Sequence, residues 1–346
     1  MVSDYLTLLF LLLRHLPSLV LTASTRKIKA IVHRYTYKSL PSTRTKNVVV
    51  VGGSFAGYYT AKHLTEILPT GHRVVLIEKN SHFNYVFAFP RFSVISGYEK
   101  FAFIPYGGLE KGAPKGIFEF VQGKIDKVDE RIIRLEDGKK LEYEYLVIAT
   151  GTSSALPSKV TATESLDAQR ELRSLQSKIE KAARIAVVGG GAVGVELASD
   201  IKDFHAEKSV VLLHSRDRLL PSFGERLHQY VMKRLGEMGV EVWLNERPQI
   251  LEGSQTLKLT SGEEETFDLV IADEHFPNIF AVGDVAATGG PKMARAGYMQ
   301  TFVVADNIVS LIKGKNNMKV YKPMQWLEGS IKLTLGKVSI TDGLYS

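Results

Sequence analysis

Two stretches of this chain carry the same succession of apolar and polar positions. In the first, the run VVVV (48–51) ends on Gly52 and Gly53, AGYYTAKHLTEIL (56–68) follows with helical spacing, Pro69-Thr70-Gly71 stops that helix, and RVVLIEK (73–79) supplies a second apolar run. The second stretch opens with ARIAVVGGG (183–191), continues as AVGVELASDIKDF (192–204) and closes on SVVLLHS (209–215). Short unbroken apolar runs read as buried strands, and strand, glycine turn, helix and strand in this order make a βαβ unit of a parallel sheet. The opening glycines, Gly52 and Gly189, are 137 residues apart, so the repeating object is a domain and not a short module. Around these units, 117–147 reads as short strands and turns, and 161–183 as a helix leading to a boundary. GERLHQYVMKRLGEMG (224–239) reads as a helix closed by Gly239, and EVWL, LKLTS and FDLVI complete a strand set. The pattern predicts an α/β protein with two Rossmann-type dinucleotide-binding domains.

Residues 1–46 follow a different pattern. YLTLLFLLL (5–13) is interrupted by Arg14 and His15 before LPSLVLTA (16–23), with Pro17 close behind. A spanning helix needs about 20 apolar residues with few charges, so this segment reads as interfacial, partly inserted or targeting, and not as one clean span. A secretory signal would place positive charge before the apolar run, and none stands there. The alternative is a poorly ordered tail. Charge sharpens the reading: 1–46 hold Arg14, Arg26, Lys27, Lys29, Arg34, Lys38, Arg44 and Lys46 against Asp4 alone, which accounts for the whole net charge of +7. The basic character thus belongs to the arm and not to a cleft in the body. This argues against nucleic acid as a partner and for an anionic membrane surface or an import machinery, facing the cytoplasm or mitochondrial.

The composition, with 45% hydrophobic and 23% charged residues over 346, suits a two-domain globular body. The sequence contains no cysteine, which excludes disulfides, thiolate metal sites and a redox-active dithiol.

The glycine loops carry the candidate chemistry. Gly189, Gly191 and Gly194 satisfy G-x-G-x-x-G in full. The first permits the tight turn, the second the approach of a pyrophosphate, the third close packing of helix on strand, and the helix N-terminus offers free N–H groups to the phosphates. At the end of the following strand, where NAD sites place an acid, stand His214, Ser215 and Arg216. No carboxylate would repel a 2′-phosphate, which favours NADPH or dual use over strict NADH; Arg216 is either an anchor for that phosphate or a solvated loop residue. The other loop reads Gly52, Gly53, Ser54, Phe55, Ala56, Gly57, with serine where the middle glycine is usual. Glu78, 26 residues after Gly52, suits the adenosine ribose better than it suits a plain surface charge at a strand end.

VIATG (147–151) and PNIFAVGDVA (277–286) add a resemblance. Over roughly 47–335 the chain resembles two-dinucleotide flavoprotein reductases, most closely the apoptosis-inducing-factor-like, ferroptosis-suppressor-like branch. The resemblance implies FAD in the first domain and NADPH or NADH in the second, the second domain being inserted in the first. It assigns Asp284 to the flavin ribityl chain, and Ala149, Thr150 and Gly151 to the flavin's neighbourhood. Arg91, in FAFPRFSVISG (87–97), would contact FAD, and the backbone at Ile125 the adenine. Segment 291–307 reads as a helix, and the resemblance puts Gln300 beside the flavin, unless Gln300 is an ordinary polar helix residue. It also implies hydride transfer from nicotinamide to flavin. With no cysteine pair, the expected electron acceptor is diffusible, a quinone or another small molecule. The expected division is an arm at 1–46, the FAD-binding domain at 47–160 and 273–318, the NAD(P)H-binding domain at 161–272, and a shortened C-terminal region at 319–346.

One departure from the family pattern stands out. Only Ala272, Asp273, Glu274, His275 and Phe276 separate FDLVI from PNIFAVGD, where the family has a further glycine-containing motif and a few dozen residues. Five residues span at most about 18 Å. They can cross a hinge but cannot supply a wall of the nicotinamide site. An internal deletion therefore leaves two other readings beside the enzyme: a flavin-binding relative without turnover, and a tailoring oxidoreductase acting on a small organic molecule.

Overall fold

The computed structural model describes residues 2–151, 156–221, 223–251, 254–272, 294–315, 318–324, 328 and 331–342. The chain opens with one helix, α1 (Val2–Thr36), which continues through Arg14 and Pro17, where the apolar run itself is broken. A proline inside a helix removes one backbone hydrogen bond and bends the axis without obliging the helix to end.

The first α/β unit runs β1 (Lys46–Val51), α2 (Phe55–Ile67), β2 (His72–Glu78), β3 (His82–Asn84), α3 (Phe89–Phe92), β4 (Phe103–Pro105), α4 (Gly107–Gly112), β5 (Phe118–Gln122), β6 (Ile125–Val128), β7 (Ile132–Leu135), β8 (Lys140–Glu142) and β9 (Tyr145–Ile148). A parallel sheet of order β5-β2-β1-β9 forms its centre, and β6-β7-β8 form a separate antiparallel sheet. Helix α5 (Ser165–Lys181) leads to the second unit: β10 (Arg184–Val188), α6 (Ala192–Phe204), β11 (Ser209–Leu213), α7 (Glu225–Met238), β12 (Val240–Trp243), β13 (Gln249–Ile250), β14 (Thr256–Lys258), β15 (Glu264–Thr266) and β16 (Leu269–Ala272). Its parallel sheet has the order β12-β11-β10-β16, with β13-β14-β15 as the antiparallel companion. The two units share a plan of four parallel strands in one order and a three-stranded antiparallel companion, with the β3–β4 pair as an addition in the first; this is the structural form of the repeat read from the glycine loops.

The central strands are β-branched and unbroken because both sheet faces are covered. Val48, Val50, Val74 and Leu76 face α2 with Ala61, Leu64 and Leu68, while Val49, Val75 and Ile77 face the antiparallel strands. Helix α8 (Ala294–Ile312) buries Ala305 and Ile308 against this first core. The hairpin β17 (Ile331–Leu335) and β18 (Val338–Asp342) instead buries Leu333 and Leu335 in the core of the second unit. Helix α5 joins the two: Ala168 and Leu172 pack with Phe89 and Phe103, whereas Leu175 and Ile179 pack with Ile185 and Ile201. Segment 82–112, which the sequence pattern left unassigned, holds elements of 3–6 residues, too short for either periodicity to register.

Candidate functional site

Parallel pairing sets the first site. Val51 lies opposite Ile77 and Ile148, so β1, β2 and β9 end side by side and bring loop 52–57, Glu78 and residues 149–151 to one edge. Gly52 holds φ +95, and a Cβ on it would collide with the Ala149 carbonyl. A Cβ on Gly57 would collide with the Gly52 carbonyl, so α2 reaches β1 only because that position has no side chain. The buried Glu78 accepts hydrogen bonds from the Gly53 N–H and, at 3.0 and 2.8 Å, from the backbone and side-chain amides of Asn80. Tyr106, which sequence reasoning missed, donates to the Gly53 carbonyl at 2.8 Å from a buried position stacked on Phe120. Burial above all, with the Glu78 charge adding, holds its phenol well above the ordinary value, so it stays a donor. Phe55 packs against Phe83 and Phe87 with ring centroids 5.0 and 4.8 Å apart. Ser54 is exposed at the helix N-cap and makes no side-chain cap.

The second site repeats this geometry. Gly189 holds φ +129, and a Cβ on Gly194 would collide with the Gly189 carbonyl. A Cβ on Gly191 would meet nothing within 4 Å, so this face of the loop is open. The Gly190 N–H donates to His214 Nδ1 at 3.1 Å, the counterpart of the Gly53–Glu78 contact. Nδ1 therefore carries no proton, and burial, with the positive charge of Arg216 adding, holds this imidazole below its ordinary value. Arg216 is exposed two residues further on.

Both loops fit a dinucleotide. No side chain caps α2 or α6, and the first helical backbone bonds start only at Tyr58 and Val195, so the preceding amides remain for pyrophosphate oxygens. Ile125 sits at the start of β6, half-buried against the core of Val49, Val51 and Ile77. Arg91 is engaged elsewhere: its guanidinium donates to Asp200 Oδ1 at 2.6 Å and Oδ2 at 3.2 Å, and to the Gly336 carbonyl. Asp200 is fully buried on α6, and burial pushes its carboxyl up to about 6 against the opposing pull of Arg91. Glu196, likewise raised by burial, accepts from the Thr334 N–H and hydroxyl at 2.8 and 3.0 Å. This cluster joins α3, α6 and the β17–β18 hairpin, three segments far apart in sequence, and no local motif marks it. Gln300 is buried on α8. Asp284 lies outside the described residues.

Two parallel sheets of one order, each with a glycine loop at its strand ends, define a protein built to hold two dinucleotides. Residues 46–273 match the family model described as pyridine nucleotide-disulphide oxidoreductase. Fe-regulated protein 8 of Mycosarcoma maydis is 32% identical over 355 positions, covering 86% of this chain and 88% of that one. Ferroptosis suppressor protein 1 of Mus musculus is 29% identical, with 81% and 84% covered. Among solved structures, a ferredoxin reductase from Rhodopseudomonas palustris superposes with a TM-score of 0.66 at 17% identity, covering 86% of this chain and 82% of that one. The chain belongs to the pyridine nucleotide-disulphide oxidoreductase family. It is an FAD-dependent NAD(P)H oxidoreductase of the branch that includes the ferroptosis suppressor and apoptosis-inducing-factor homologues. The alignment with the Mycosarcoma protein needs 355 positions to place 86% of 346 residues, so that relative carries internal positions this chain lacks. The expected gap after Ile271 borders residues outside the described part of the structure.

Proposed function

We propose that this protein oxidises NADPH in preference to NADH and passes the two electrons to a quinone. The observation that carries the acceptor is the absence of cysteine from a member of a disulphide reductase family. With no dithiol to receive them, electrons leave through a diffusible molecule, and a quinone takes two electrons and two protons to become the quinol. Bound FAD supplies the relay between the two substrates. The chain's own residues bind and orient: the open amides at α2 and α6 hold pyrophosphates, and Glu78 stands ready for a ribose at the first loop. The preference for NADPH rests on His214, a neutral imidazole in the place where the first loop has a carboxylate.

The test is anaerobic. FAD-loaded protein mixed with NADPH loses its flavin colour, and a short-chain water-soluble quinone restores it. Colour that returns no faster with quinone than with buffer removes the acceptor assignment. The positions missing relative to the Mycosarcoma protein favour a second reading, flavin binding without turnover, under which NADPH leaves the colour unchanged. His214→Asp keeps an acceptor for the Gly190 N–H but sets a charge against the 2′-phosphate. We expect its kcat/KM for NADPH to fall at least about tenfold while that for NADH holds or rises, since one such contact is worth about 1–2 kcal/mol. Equal losses with both nucleotides would instead mark His214 as a support of the loop alone.

A further inference from the structure

Helix α1 presents two unlike faces, and among the described residues one of them is packed against the body and the other is exposed. Arg26, His33 and Tyr37 recur at spacings of seven and four, which places them on one stripe. The Arg26 guanidinium lies 3.9 Å from the centroid of the Phe302 ring and 3.5 Å from Asp306 Oδ2, both on α8. His33 Nε2 stands 2.6 Å from the Leu68 carbonyl, and the Tyr37 hydroxyl donates to the His72 carbonyl at 3.0 Å. This stripe therefore clamps α1 to α8 and to the segment that follows α2. The Phe302 ring is itself stacked on the buried His63 of α2 at 3.9 Å, so the clamp rests on two helices of the first core.

Half a turn away, Leu21, Ile28 and Tyr35 recur at exact sevens and are 69%, 62% and 84% exposed. Leu13, Ile31 and Val32 lie within the same sector and are more than half exposed. On the helix surface this apolar stripe is flanked by cations, Lys27 and Arg34 along one border and Lys29 along the other, with Arg14 at its edge in line with Val32. No helix among the described residues is long and apolar enough to cross a membrane. A helix with an apolar stripe between two basic borders has the form that lies in the plane of a bilayer surface, side chains in the acyl boundary and cations at the headgroups.

We propose that the face of α1 bearing Leu21, Ile28 and Tyr35 is a docking surface for an anionic lipid bilayer. The occupant is chosen by charge: the cations border the apolar stripe on both sides, as headgroups would require. A partner protein's groove would have to supply acids along both borders at once. Because the opposite stripe is clamped to α8, docking fixes the orientation of the body and does not merely tether it. The α8 side of the first unit is held toward the lipid. The inference goes beyond the proposed NADPH and quinone chemistry and does not depend on it.

The experiment uses the full, FAD-loaded chain in co-sedimentation with vesicles of phosphatidylcholine alone or mixed equally with phosphatidylserine, without NADPH or quinone. Binding is expected to the mixed vesicles, to weaken with added salt, and to be near background on phosphatidylcholine. Leu21→Glu with Ile28→Glu should weaken it at least about tenfold, as should the exposed pair Lys27→Glu with Arg34→Glu. Retained flavin absorbance and NADPH-driven ferricyanide reduction, or retained absorbance alone if turnover is absent, show that each variant is folded. Failure of the native chain to bind either vesicle overturns the proposal. So does undiminished binding by both double variants, and so does a shift from dimer to monomer in the variants without vesicle binding by the native chain, which would make a second copy the occupant.

Discussion

Gly57→Val yields a protein that no longer holds FAD, whereas Gly194→Val yields one that keeps its flavin and is no longer reduced by NADPH. The two positions are equivalent in the two units, and each meets the carbonyl of the glycine that opens its own loop, Gly52 or Gly189. A side chain at either cannot be accommodated by a rotamer change, because the obstacle is backbone. The helix must move away from its strand, and its N-terminal amides move with it. Overpacking of this kind costs about 1–3 kcal/mol of stability, and the displaced amides lose their aim at the pyrophosphate, so affinity for the dinucleotide should fall by about a hundredfold or more. Flavin absorbance per chain, and its bleaching by NADPH, read the two losses separately. If Gly57→Val stayed yellow, the assignment of FAD to the first loop would be wrong. Loss of flavin from Gly194→Val alone would exchange the two loops.

The second large effect concerns the ion pair between units. Arg91→Ala is expected to destabilise the protein by about 3 kcal/mol at pH 8 and by about 1 kcal/mol at pH 5. The difference follows from Asp200. Its carboxyl titrates at about 6 in the folded protein, above its ordinary value of 3.8. Between those values the folded chain holds a proton that the unfolded chain has released, so stability falls as pH rises through that window and is level above it. Burial raises the carboxyl, and Arg91 is the charge that opposes it. Without Arg91 the folded-state value climbs further, the falling window extends upward, and the penalty at pH 8 grows. At pH 5 Asp200 already carries its proton in large part, and the variant loses hydrogen bonds more than charge compensation. Urea unfolding at the two pH values measures this, and an equal deficit at both would show that the pair is not the charge clamp described. Measuring FAD affinity on the same samples separates the clamp from direct contact between Arg91 and the flavin.

Much of the architecture was legible because the signals are local. A buried parallel strand must be apolar on both faces, so VVVV (48–51) and RIAVV (184–188) announce themselves. A tight strand-to-helix turn admits little besides glycine, so Gly52, Gly57, Gly189 and Gly194 mark both loops. Spacing placed Glu78 at the end of the strand after the first loop, since one βαβ crossover sets that distance, and suggested a ribose role; that its carboxylate takes the Gly53 N–H came from the coordinates. The counterpart at His214 was read only as the absence of an acid; that its Nδ1 takes the Gly190 N–H required coordinates.

Other features had no local signal. Tyr106 stands 53 residues from the carbonyl it binds, in a segment of elements too short to show a period. Arg91 and Asp200 are 109 residues apart; the resemblance pointed Arg91 toward FAD, and nothing in the sequence singled out Asp200 as its partner. The arm shows both sides of the division. Its apolar run, the break in that run at Arg14 and Pro17, and its excess of cations were plain in the sequence, whereas the length of the helix that carries them was not.

By itself the sequence determined that this chain makes two dinucleotide loops, that the second lacks an acid at its ribose position, and that no cysteine carries its electrons. Those properties depend on residue type and on distances along the chain of a few tens of residues, which backbone geometry fixes directly. Tertiary structure alone decided that Arg91 clamps Asp200, that Tyr106 braces the first loop, and that one face of α1 is taken by α8 while the other is exposed among the described residues. Those depend on which segments meet, and packing of the whole chain sets that.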